Sequence, residues 1–194
     1  MGTKQKVPLS NSFVHKLLRE HGTLRRVLGL IQEQVHRIEQ GEVPDMALFG
    51  NALYYLRKFP SVFHHPLEDA LFDRLLPKAS HLKPEIDSLR EQHREIYELE
   101  NWLSETALEA AKLGPAAYPR LVEFARRYLV LQWQHGETEE QVIFPAALKA
   151  LGPADWLALG TRMAEASDPL AGGPVPERFR RLYDYLEHKA KPAA

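Results

Sequence analysis

Four histidines and two glutamates carry the chemistry open to this sequence. Glu68 follows His64 by four residues, and Glu139 follows His135 by four. On an α-helix, positions i and i+4 share a face, so each imidazole converges with its carboxylate on one point. His21 precedes the first pair and His93 the second, and the two intervals, His21–His64 and His93–His135, differ by a single residue. The order His, then His-x-x-x-Glu, is therefore written twice. Two such halves supply enough ligands for two metal ions, with bridging carboxylates and an open coordination position. Imidazole and carboxylate without thiolate suit iron, manganese or zinc, and a dinuclear nitrogen/oxygen site inside a helical bundle favours iron by analogy of fold. Glu68 and Glu139 as bridges place two negative charges on a four-plus core. An oxide or hydroxide bridge would offset the remainder. An iron short of six ligands is where dioxygen, nitric oxide or peroxide could bind.

A lone His-x-x-x-acid pair says little. Nine histidines and 26 acids in 194 residues give about one such pair by chance. His65–Asp69 and His81–Glu85 also fit the spacing, but His81 stands just before Pro84 at a helix start. The signal lies in the ordered, evenly spaced halves. His65 is one position off the apolar seam and is expected to be exposed or to stand behind the ligands. Asp69 and Glu140 turn away from their neighbours by about 100°, which puts them on the surface or behind the ligands as well. Tyr97 and Tyr128 fall near the ligand turns. Each is either a packed ring with a satisfied hydroxyl, or a pocket wall, a donor to bound oxygen or a metal ligand. Trp102, Trp133 and Trp156 are expected to pack, and Arg25-Arg26 and Arg126-Arg127 to be solvated.

The elements that must position these residues are helices. Val14, Leu17, His21, Leu24, Leu28, Ile31, Val35 and Ile38 step alternately by three and four, the seam of a packed helix. Gly41 and Pro44 close this segment. A second runs from about Asp45 to Leu76, and Pro60 and Pro66 inside it predict a kink or a fresh start. A third starts near Pro84 with the seam Ile86, Leu89, His93, Ile96, Leu103, Ala107 and Ala110, and stops at Gly114-Pro115. A fourth runs from about Ala116 to Leu151, with Leu121, Ala125, Tyr128, Gln132, His135, Glu139, Val142 and Ala146 on its seam and Pro145 as a possible kink. The pattern predicts an all-α fold: an up-down-up-down four-helix bundle over 10–151 and a C-terminal helical extension over 152–194. In that extension, helices near 154–166 and 176–188 flank Gly172-Gly173-Pro174.

Composition narrows the classes. Hydrophobic residues make up 44% and charged residues 26%, ordinary for a soluble domain. The formal net charge of -1 argues against a nucleic-acid partner. With no cysteine, disulfides, thiolate zinc and iron–sulfur ligation are excluded. No stretch approaches the roughly 18 apolar residues of a spanning helix, and the first fifteen residues lack a signal-peptide core. A cytoplasmic protein without a membrane partner, monomeric or a weak homodimer, is expected.

Phe63–Phe72, FHHPLEDALF, and Gln134–Pro145, QHGETEEQVIFP, resemble the two halves of hemerythrin-like (HHE cation-binding) domains. The resemblance covers roughly residues 10–150. It implies a four-helix bundle with a non-haem di-iron centre held by His21, His64, Glu68, His93, His135 and Glu139. The branch it resembles is H…HxxxE…H…HxxxE, not the oxygen carriers. Those have a second histidine four residues after the third-helix ligand, where this chain has Tyr97, and they end in His-x-x-x-x-Asp. That branch includes proteins associated with nitric oxide binding, peroxide chemistry and iron–sulfur repair, and an open di-iron site without a recognisable substrate pocket is expected to bind or sense dioxygen or nitric oxide. Alternatives are an enzyme acting on peroxide or nitric oxide, and an iron–sulfur repair or iron-donor protein. The repair proteins carry N-terminal cysteines, which this chain lacks. A metal-free helical interaction module is the remaining rival.

Overall fold

The apolar seams fold as helices in a computed structural model that describes residues 9–164, 170, 177, 180 and 182–185. The helices bounded within these residues are α1 (Leu9–Glu39), α2 (Met46–Phe59), α3 (His65–Leu75), α4 (Lys83–Leu113), α5 (Tyr118–Thr138), α6 (Phe144–Ala150) and α7 (Pro153–Ala164), and residues 180 and 182–185 are helical as well. No strand occurs among the described residues. The first arm of the bundle is α1, the second α2 with α3, the third α4, and the fourth α5 with α6. Each arm packs against the two next to it in a closed square, and the chain runs up, down, up, down.

Local chemistry sets the ends. Gly41 takes a positive φ of 75° after α1, and the Glu42 amide donates back to Arg37 O at 2.8 Å. The Asp45 carboxylate caps α2 by accepting from the Leu48 amide at 2.8 Å.

The second and fourth arms do not break at their prolines. Each widens instead into a π-helical turn, at Pro60–His64 and at Glu139–Ile143. The cause is the same in both. Pro66 and Pro145 have no amide to give to the carbonyls of Val62 and Gln141, and their rings crowd those carbonyls. The ladder steps around the obstruction. The His65 amide donates to Pro60 O and the Phe144 amide to Glu139 O, five residues back in each arm. One extra residue enters the turn, so the buried face moves on by one position. Val142, expected on the seam, is exposed, while Ile143 and Ala147 are buried.

The core is two apolar clusters with a polar layer between them. One gathers Val27–Val35 of α1, Leu48–Leu56, Ile96–Ala110 and Leu121–Leu129. The other gathers Phe13–Leu17, Leu67–Leu75, Leu82–Leu89, Ile143–Ala147 and Trp156–Leu159. Every arm crosses the gap, at His21, at His64 and His65, at His93, and at His135 and Glu139. The α7 helix closes the second cluster against α1 and α3. Leu170 and Leu182 join the first cluster, and the Tyr185 hydroxyl donates to Glu33 at 3.2 Å. Most of the helix expected at 176–188, and Gly172-Gly173-Pro174, lie outside the described residues.

Candidate metal centre

Polar groups cost free energy in a core unless they find partners. Here Glu68 and Glu139 are both 0% exposed, from opposite arms. Glu68 faces the first pair of imidazoles through one oxygen: Oε1 lies 3.1 Å from His21 Nε2 and 2.7 Å from His64 Nε2. Its other oxygen lies 3.5 Å from His93 Nε2. One oxygen of Glu139 stands between the two sides, 3.4 Å from both His21 Nε2 and His135 Nε2. The layer resolves into two groups whose donor atoms lie within 4.8 Å of one another, His21–His64–Glu68 and His65–Glu68–His93–His135. Glu68 belongs to both.

The imidazoles are oriented from behind. His64 Nδ1 meets Glu20 Oε2 at 3.0 Å, His21 Nδ1 meets Glu140 Oε1 at 2.7 Å, and His135 Nδ1 meets Gln92 Oε1 at 3.0 Å. His93 Nδ1 lies 3.4 Å from Asp69 Oδ1 without hydrogen-bond alignment. Holding Nδ1 as a donor leaves the inward Nε2 with its lone pair, the form a metal ligand needs.

Electrostatics gives a mixed inventory. Burial, reinforced by the neighbouring His93, keeps His65 neutral, and burial takes His135 down to about 3. Burial also opposes charge on His64 and His93, but carboxylates outweigh it. Glu68 and Glu20 hold His64 at about 9, and Asp69 and Glu68 hold His93 at about 10. Burial and the Glu68 charge push Glu139 up, whereas His64, His21 and His93 overcome burial and hold Glu68 below the usual carboxylate range.

Four features fit a bound cation. Glu68 Oε2 and both Glu139 oxygens are buried without a hydrogen-bond partner. The Nε2 atoms of His93 and His135 point at each other at 3.1 Å, and two lone pairs in that position repel unless a cation or a proton lies between them.

The structure brings His21, His64, Glu68, His93, His135 and Glu139 together. It also brings in His65, which is 8% exposed, against the expectation of an exposed or outlying residue. That ring stacks on His93 at 4.2 Å with 17° between planes. The π turn is the reason: it sets His64 and His65 on the same side. Glu140 stands behind His21, one of the two places expected for it. Glu20 and Gln92 carried no sequence signal beyond lying next to His21 and His93.

The two tyrosines do not meet in the layer. Tyr128 is fully buried, donates to Glu100 Oε1 at 2.9 Å and accepts from Gln132 Nε2 at 3.0 Å. Tyr97 is 54% exposed and lines an outer groove of about 390 Å³ with His65, Asp69 and His93. A cavity of about 20 Å³ lies on the opposite side, bounded by His21, His64, His65, His135, Gln132 and Leu28. It has room for roughly one water-sized molecule. Trp156 packs as expected, whereas Trp102, against Phe124, and Trp133, under Arg25, are each a little under half exposed. Arg25, expected to be solvated, pairs with Glu140 at 2.7 Å and lies over the Trp133 ring at 5.9 Å.

Residues 12–147 match the Hemerythrin HHE cation binding domain. Uncharacterized proteins from Mycobacterium bovis and from two strains of Mycobacterium tuberculosis are 26% identical over 143 residues, which is 74% of this chain. The matched region spans 55% of the length of these relatives. No solved structure matches. Among the described residues, no helix is long and apolar enough to cross a membrane.

Proposed function

We propose, from the premise that this chain belongs to the hemerythrin HHE cation-binding family, that its polar layer holds two iron ions and binds or senses dioxygen or nitric oxide. The observation that carries the reading is the pair of His/Glu groups sharing Glu68, with Glu139 between them. His21 and His64 would hold one ion, and His93, His135 and His65 the other. Glu68 and Glu139 would span both and neutralise two charges. A reduced iron pair held there would supply reversible binding of a diatomic molecule or electrons for reduction of peroxide.

The surrounding residues shape what can bind. Leu24, Leu28 and Trp133 give the small cavity an apolar wall, so it excludes a hydrated ion or a larger substrate. Gln132 is its amide wall, with Nε2 committed to Tyr128. The outer hydrogen bonds of Glu20, Glu140 and Gln92 keep the imidazoles aimed inward whether or not a ligand is bound.

The test is to load the protein anaerobically with ferrous iron, admit dioxygen or nitric oxide, and follow the absorption spectrum. Reversible, stoichiometric binding of one gas is expected; failure to bind either would overturn the reading. A second reading, turnover of peroxide or nitric oxide, is favoured by the outer groove that reaches His93 and His65. It requires multiple turnovers that vanish in Glu139→Ala, and a single stoichiometric reaction excludes it.

A further inference from the structure

The two groups of ligands are held by unlike surroundings. Behind His64 stands Glu20, itself buried, and the Lys16 ammonium fixes its other oxygen. Behind His21 stands Glu140, whose Oε1 also accepts from Arg25 at 2.7 Å, and Arg25 in turn rests on Trp133. Each of these imidazoles therefore donates to a carboxylate that a cation locks in place. Across the layer, His135 donates to the neutral amide of Gln92. His93 has only Asp69, at 3.4 Å and poorly aligned, and that side chain is 47% exposed and shared with Arg90. A carboxylate behind a ligating histidine fixes its tautomer and makes it more basic, and losing such a partner costs about 10–100-fold in metal affinity.

Access differs in the same direction. The outer groove between the π turn of the second arm and α4 is lined by His65 and His93 together with Asp69, Glu98 and one cation, Arg94. His21 and His64 line the 20 Å³ cavity on the other side, which His65 and His135 also border, and neither lines the outer groove. The imidazoles with the weaker outer partners include the one, His93, that lines the outer groove.

We propose that the two metal positions exchange their ions at unequal rates. The one at His93, His135 and His65 exchanges its ion through the outer groove, while Glu20 and Glu140, as positioning residues, lock the one at His21 and His64. The carboxylates of Asp69 and Glu98 give a departing or arriving cation its first partners outside the layer. This inference rests on the two-ion reading above.

The test uses the full chain loaded with ferrous iron, challenged anaerobically with excess ferrous chelator, with release followed by absorbance. Two phases of one iron each are expected. Glu20→Gln combined with Glu140→Gln should speed the slow phase about 10–100-fold and leave the fast phase alone. Gln92→Glu, which supplies the missing carboxylate, should slow the fast phase. Circular dichroism on each variant separates loss of hold from loss of fold. A single release phase in the unmodified protein, or a slow phase indifferent to the double substitution, overturns the inequality but leaves the two-ion reading standing. Failure of the unmodified chain to take up iron at all overturns both.

Discussion

The second and fourth arms of the bundle carry the same motif, the same π turn and the same proline two residues beyond that turn, yet they deliver different side chains to the centre. In the second arm the π turn ends at the motif histidine, and its extra residue turns His65 inward beside His64. In the fourth arm it begins at the motif glutamate, and Glu140 stands behind His21 while Glu139 faces the layer. One wide turn thus adds an imidazole to the layer, and the other stands beside a carboxylate that backs a ligand. Spacing within a motif fixes which residues share a face of a regular helix. Where the wide turn falls relative to the motif decides what else joins them.

The comparison can be broken most forcefully at the shared carboxylates. Glu68 serves both groups, so Glu68→Ala should abolish binding of both ions, whereas His21→Ala or His135→Ala should cost the ion on its own side. Metal analysis of the three variants checks this. Neither histidine belongs to an apolar cluster, so both single variants should remain helical, with metal-free stability changed by about 1–3 kcal/mol. Global unfolding of both would make the metal structural instead.

A smaller effect is expected at the prolines. Pro66→Ala restores an amide donor and allows the second arm to continue as a regular α-helix, swinging His65 away. Pro145→Ala does the same for Glu140. Each should weaken metal binding roughly tenfold, the first on the His93 side and the second on the His21 side, as read by competition with a chelator. Equal effects on both sides would mean that the two turns are interchangeable.

The smallest effect concerns a buried acid that the metal reading does not use. Burial pushes Glu100 up to about 8, with Tyr128 as its donor. Its unfolded pKa is near 4.5, so the folded protein holds one more proton between those values, and stability falls as pH rises across that window. Glu100→Gln should remove this part of the slope, with its advantage over the unmodified chain growing from pH 5 to pH 8 in thermal melts of the metal-free protein. A constant difference would count against a buried acid there.

Much of this was legible in the sequence. The seams of α1 and α4 follow the heptad steps, and His21 and His93 stand on them as expected. The repeated His, His-x-x-x-Glu order located the layer and its family. His65 was not legible as inward-facing, because about 100° per residue holds only while the ladder is α-helical, whereas Glu140 stands behind a ligand, one of the two places expected for it. The prolines announced a disturbance but not its form: a kink and a π turn answer the same missing amide. Glu100 was hidden for a different reason. It occupies the seam position between Ile96 and Leu103, which an apolar pattern simply skips. Glu20 and Gln92 act through partners on other arms, and no single-helix periodicity reports such contacts.

The most direct measurement is elemental analysis of the chain purified without an affinity metal column. Two irons per chain, removable by chelation with a drop in melting temperature, are expected if the polar layer is a paired metal centre that binds only the folded state. No metal, or a scatter of substoichiometric zinc with melting indifferent to chelation, would contradict it and leave the imidazoles and carboxylates as ion pairs inside a helical interaction module.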